Sequence, residues 1–77
     1  MSINVRYFAS LKELMGRSEE KIIFVNIVSV KDVLNHVSEN RNIPQNILAA
    51  INMEYVEFEA KVADGDEVAF FPPVTGG

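Results

Sequence analysis

Seventy-seven residues with no cysteine and a single histidine leave no disulfide framework, no thiolate nucleophile and no zinc ligand set. Eleven acidic against seven basic residues give a net charge of −4, the wrong sign for a nucleic-acid partner. No stretch approaches the roughly 20 apolar residues of a membrane span, and a chain this short buries only about 60% of its unfolded surface, which disfavours an enzyme with its own deep pocket.

Along the chain, Ile3, Val5 and Tyr7 alternate with Asn4, Arg6 and Phe8, which predicts a half-buried strand over 3–9 with Phe8 facing away from the core. Ser10 and Glu13 stand at capping-box spacing, and Leu11, Leu14 and Met15 form a short apolar stripe that Gly16 stops, so a helix of one to two turns follows. Residues 21–26 are β-branched and aromatic and read as a second strand. Ser29 then caps a longer helix with Asp32 in its first turn, Val28 and Val33 placed for a hydrophobic staple, and Val30, Val33, Leu34 and Val37 as the core stripe. Asn42 and Pro44 close that helical region.

The apolar run 47–53 is ambiguous in period, and its length favours a strand, followed by a short edge strand over 55–58. Asp64-Gly65-Asp66 is a turn, and residues 67–71 form a last strand with Val68 and Phe70 on one face, Ala69 and Phe71 on the other. Met15 and Met53 read as core filler, and His36, off the apolar stripe, as a solvated side chain. The order β-α-β-α-β-β-β, with the last strand beside the first, predicts an α+β domain of β-grasp type. It has a mixed sheet, one long helix packed on one face and a short extra helix. Parity leaves Phe8 and Phe71 on the face with no second layer, where an exposed apolar patch suggests docking.

Residues 1–71 are expected to form this domain and residues 72–77 an extended, flexible tail. Pro72 and Pro73 remove backbone donors and end sheet pairing, and six extended residues reach about 20 Å at ~3.3 Å each. Gly76 and Gly77 lack a Cβ, so the backbone fits a narrow channel. A carboxylate on Gly77 needs activation before it reacts, and the chain has no phosphate-binding glycine loop, so activation falls to a partner. The first residues lack a signal-peptide pattern, and the expected location is cytoplasmic.

The run Asp64 to Gly77, ending Phe-Phe-Pro-Pro-Val-Thr-Gly-Gly, together with the opening Val5-Arg6-Tyr7-Phe8-Ala9 and Leu11-Lys12-Glu13-Leu14-Met15-Gly16, resembles the molybdopterin synthase small-subunit family of ubiquitin-like sulfur carriers. Residues 49–52 are similar to that family's central strand. The resemblance implies a β-grasp sulfur carrier whose Gly77 is adenylated by a ubiquitin-activating-like adenylyltransferase using ATP and Mg²⁺. A sulfurtransferase then supplies the sulfur of a terminal thiocarboxylate. It further implies a heterotetramer with a large subunit, into which Pro72, Pro73, Val74, Thr75, Gly76 and Gly77 insert. There the sulfur attacks cyclic pyranopterin monophosphate in molybdopterin synthesis. The chain itself is implied to bind no cofactor, no metal, no nucleic acid and no membrane, and to contribute to catalysis only as the sulfur-donating subunit.

The positions matching that family's partner-docking residues are Phe8, Tyr55 and Phe71, with Tyr55 standing where an aliphatic residue is common. Of the acidic groups, six lie among residues 51–77 against one basic residue, Lys61. They serve either solubility or steering toward a basic partner groove. Two other functions remain open: a thiamine-type sulfur carrier or ubiquitin-like protein modifier, and a β-grasp binding module with an inert tail.

Overall fold

The computed structural model describes residues 1–38, 42–44 and 46–73. In chain order the elements are β1 (Ser2–Tyr7), α1 (Ser10–Met15), β2 (Glu19–Ile23), α2 (Val30–Ser38), β3 (Leu48–Ile51), β4 (Glu54–Val56) and β5 (Glu67–Phe71). The order of types is the expected one. The five strands make one mixed sheet in the order β2-β1-β5-β3-β4, with β5 parallel to β1 and the other pairings antiparallel.

Each strand differs from its expected range by one to three residues except β5, whose Glu67–Phe71 span matches. The difference at β2 has a pairing cause: Glu19 and Glu20 are recruited opposite Arg6 and Val5. Residues 24–26, also expected as strand, leave the sheet there, and Asn26 adopts a positive φ of 60°.

One face of the sheet carries the core. Ile3, Val5, Tyr7, Ile22, Ala49, Val68 and Phe70 pack with Val30, Val33 and Val37 of α2, with Leu11 and Met15 of α1, and with Ile27, Ile47 and Val62 of the connections. Each such side chain contributes about 1.5–3 kcal/mol of burial. Tyr7 is buried in this layer and donates its phenolic proton to Glu20, so its one polar atom is satisfied.

Two expectations about α1 are corrected. Ser10 is the first helical residue rather than its cap, and no side chain caps the helix. The reason lies one step earlier: Phe8 extends the sheet ladder by donating its N–H to the Phe70 carbonyl at 3.2 Å, so the chain must reverse at once. Ala9 makes that reversal at φ 51°, ψ −128°, with Leu11 N–H returning to the Phe8 carbonyl at 3.1 Å. This is the glycine-favouring corner of a type II′ turn. Leu14, expected on the buried stripe, is 41% exposed, because so short a helix presents one row to the sheet and Leu11 and Met15 fill it. Gly16 ends the helix in the left-handed conformation at φ 75°, as the sequence predicts.

At α2 the expected Ser29 cap forms, and Asp32 completes it as a reciprocal box. Asp32 Oδ2 accepts from the backbone N–H groups of Val28 and Ser29 at 2.9 and 3.0 Å, and Ser29 Oγ accepts from Asp32 N–H at 3.4 Å. The staple does not close: Val28 is 60% exposed, its N–H taken by Asp32 and its carbonyl by Val62 N–H. The hydrogen bonds from Val28 and then Ser29 hold the Asp32 carboxyl below the usual carboxylate range. A depressed folded-state pKa gives stability that is present above the unfolded value of about 3.9 and is lost as pH falls through the folded value. Asp32→Ala is therefore expected to lower the thermal midpoint at neutral pH, with the gap to the parent closing in strong acid; melting curves across that range check it.

Met53 is not core filler. It is 89% exposed at φ 72° beside Asn52 at φ 48°, the two forming the tight turn between β3 and β4. Positive φ at both positions is the signature of a type I′ two-residue hairpin, whose twist matches that of the strands. Asn52 is pinned there, donating from Nδ2 to Asp66 at 3.0 Å and accepting from Glu67 N–H at 3.0 Å.

Candidate docking face and tail root

Among the described residues no helix lies over the second face of the sheet. β5 runs in register with β1 (Arg6↔Ala69) and with β3 (Leu48↔Phe71, Ala50↔Ala69), while β3 pairs with β4 (Ala50↔Tyr55). Because side chains alternate across a strand, these pairings gather Phe8, Leu48, Ala50, Tyr55, Ala69 and Phe71 on the uncovered face. Phe8 and Phe71 stack with ring centroids 4.7 Å apart and planes 5° from parallel, and Tyr55 tilts against Phe71 at 5.6 Å.

Ala50 and Ala69, 2% and 7% exposed, form the floor of this patch beneath the rings. At its border the Arg6 guanidinium lies 5.4 Å from the Phe8 ring centroid and pairs with Glu67 at 3.8 Å. Both charges are substantially solvated, so the pair contributes little to stability. It marks where the apolar surface ends.

The three residues singled out from the sequence, Phe8, Tyr55 and Phe71, thus lie in one contact group. Phe71 is both the centre of that group and the last residue of β5, so Pro72 and Pro73 leave the sheet from the patch itself. Val74, Thr75, Gly76 and Gly77, which carry the remaining tail expectations, lie outside the described residues. Leu48, Ala50 and Arg6 were not anticipated in the site. Parity alone could not find the first two, since their register depends on which strand β3 joins.

Asp64, Asp66 and Glu67 are occupied by structure. Asp64 accepts from Ser2 N–H at 2.9 Å and Asp66 from Ala63 N–H at 2.8 Å, so the Asp-Gly-Asp segment is held as a turn. Among the described residues no group of three or more His, Asp or Glu side chains is placed to hold a metal ion. His36 is exposed. No helix among the described residues is long and apolar enough to cross a membrane.

A five-stranded mixed sheet with its longer helix packed on one face is the β-grasp architecture of the ubiquitin-like class. Residues 5–77 match the model of the ThiS family. The chain is 36% identical over 81 residues to the molybdopterin synthase sulfur carrier subunit of Escherichia coli, covering 97% of this chain and 99% of that one. Among solved structures it resembles SAMP1 of Haloferax volcanii, with a TM-score of 0.77, 28% identity and full coverage of both chains. A chain in the complex of subunits 1 and 2 of the molybdopterin-converting factor from Helicobacter pylori matches over the full length of both chains. Its TM-score is 0.68, and at 21% identity the likeness is one of fold. The chain belongs to the ThiS family, among the molybdopterin synthase sulfur carrier subunits.

Proposed function

We propose that this chain carries sulfur as a thiocarboxylate on Gly77 and donates it in molybdopterin synthesis as the small subunit of molybdopterin synthase. The observation that carries the reading is the position of the tail root inside the aromatic patch, on a chain 36% identical to a curated sulfur carrier over nearly its whole length. Residues 72–77 act as the extended tail. Ordering six residues in a partner's channel costs about 1–2 kcal/mol each, roughly 6–12 kcal/mol in all, which the tail's small side chains do not offset alone. A partner gripping Phe8, Tyr55 and Phe71 holds the domain at the point where the tail departs and supplies the missing binding energy.

The chemistry at Gly77 has two stages. Its carboxylate oxygen attacks the α-phosphate of ATP on a ubiquitin-activating-like adenylyltransferase, with Mg²⁺, releasing pyrophosphate and leaving an acyl-adenylate. Sulfur from a sulfurtransferase displaces AMP and leaves the thiocarboxylate. In the large subunit of the heterotetramer, that sulfur attacks cyclic pyranopterin monophosphate in place of one of its oxygens, and water then cleaves the acyl–sulfur bond, leaving the sulfur on the pterin and returning Gly77 as a carboxylate. Acid-base groups come from the large subunit, in keeping with a tail that has none.

A second reading, attachment of Gly77 to protein lysines, is supported by the likeness to SAMP1, a small archaeal modifier protein. Intact-mass measurement after incubation with ATP, Mg²⁺, a sulfur source and the adenylyltransferase separates the readings. A gain equal to the replacement of one oxygen by sulfur, lost on adding large subunit and cyclic pyranopterin monophosphate, is the expected result. Gain without that loss points to another sulfur carrier, covalent adducts on lysine to a modifier, and no gain with a competent activating enzyme to a binding module.

A further inference from the structure

We propose that a groove at the open end of the β3–β4 hairpin receives an arginine side chain of the partner that docks on the aromatic face; this rests on the docking role proposed above. The hairpin is paired from Ile51↔Glu54 to Ala49↔Val56. Continuing that register, Leu48 and Glu57 would be the next pair and Ile47 and Phe58 the one after. They part instead, because the chain after Val56 turns to the start of α2, where the Phe58 carbonyl accepts from Lys31 N–H and the Ala60 carbonyl from Val30 N–H, both at 3.0 Å. The splay leaves a groove of about 510 Å³ between the two strand ends, lined by Ile47, Leu48, Tyr55, Val56, Glu57 and Phe58.

The lining selects its occupant. Ile47, Leu48, Val56 and Phe58 offer an apolar bed, the Tyr55 ring, 69% exposed, forms a wall, and Glu57, an exposed residue, adds the one charge of the lining. Glu54 and Glu59 are exposed on the same stretch of chain. Among the described residues the ion pairs are Arg6–Glu67 and Arg17–Glu20, and Glu57 belongs to neither. An aliphatic side chain seated here would use the apolar bed alone and give the Glu57 charge no partner. Arginine meets every part of the lining: its stem lies on the aliphatic bed, its planar guanidinium stacks on the tyrosine, and its N–H fork binds the carboxylate. Leu48 and Tyr55 belong to both the groove and the aromatic patch, so a partner seated on the patch reaches the groove without a second docking event.

The test is titration calorimetry of the full chain against the molybdopterin synthase large subunit of the same organism, at low and high salt, with the parent, Glu57→Gln, Glu57→Lys and Phe71→Ala. Circular dichroism first establishes that each variant is folded. Glu57→Lys is expected to weaken binding about tenfold at low salt, with Glu57→Gln intermediate and the gap narrowing at high salt, while the Phe71→Ala deficit persists at both. Parent-like binding by both Glu57 variants alongside weakened Phe71→Ala overturns the groove and leaves the docking role standing. Parent-like binding by all three variants overturns the docking role itself. A Glu57→Lys deficit that ignores salt overturns arginine as the occupant. Self-association of the chain alone that depends on Glu57, with partner affinity unchanged, assigns the groove to a second copy and overturns the proposal.

Discussion

Removal of Gly76 and Gly77 is expected to abolish thiocarboxylate formation while leaving the thermal midpoint and far-ultraviolet spectrum of the domain unchanged. The stability half of this expectation follows from the core, every member of which lies between Ile3 and Phe70. Among the described residues the last strand of the sheet ends at Phe71. The activity half follows from reach and access. Shortening the tail by two residues withdraws its end by about 7 Å and makes Thr75, β-branched where Gly77 has no Cβ, the residue that would have to react. Intact mass after the activation reaction reads the loss directly. A full sulfur gain by the shortened chain would remove Gly77 from the chemistry.

The adjacent pair Phe70 and Phe71 is expected to separate stability from recognition. Phe70 is 1% exposed and in ring contact with Phe58 and Tyr7; Phe70→Ala deletes the largest fully buried side chain and is expected to cost about 3–5 kcal/mol. Against a total stability of roughly 5–15 kcal/mol for a domain, that leaves much of the chain unfolded near physiological temperature. Phe71→Ala instead removes two exposed-face ring contacts, each of about 0.5–1.5 kcal/mol, and leaves the core intact. Its main effect is expected in partner affinity, a loss of about 2 kcal/mol or more, as for an aromatic anchor at the centre of an interface. Denaturant titration and calorimetry on both variants check the pair. A Phe71→Ala variant that is as unstable as Phe70→Ala, or that binds normally, would refute the division of roles between the two faces.

This division was legible in residues 67–71 because it needs only the two-residue period of a strand. The same reasoning placed Val30, Val33 and Val37 toward the core and Ser29 as the cap of α2 with Asp32 in its first turn, since both depend on spacings within one element. Where it failed, a distant neighbour intervened. The Ser10–Glu13 box is absent because Phe8 is drawn into the sheet by Phe70, sixty-two positions away, and Ala9 absorbs the reversal. Met53 left the core because the hairpin needed both Asn52 and Met53 for its turn. Neither event has a signature in the local pattern.

From the sequence alone came the element order, the faces of the first and last strands, the end of the last strand before Pro72, and the family likeness of both ends. These rest on short-range periodicity and on contiguous motifs, which a linear chain displays directly. The tertiary structure alone decided which strand lies beside which. The register of β3 against β5 sets Leu48 opposite Phe71 and Ala50 opposite Ala69, and that of β4 against β3 sets Tyr55 opposite Ala50. The departure of β4 toward α2 opens the groove at Glu57. Register between strands far apart in the chain is settled by how the whole core packs, because a slip of one residue would turn every side chain of a strand to the opposite face.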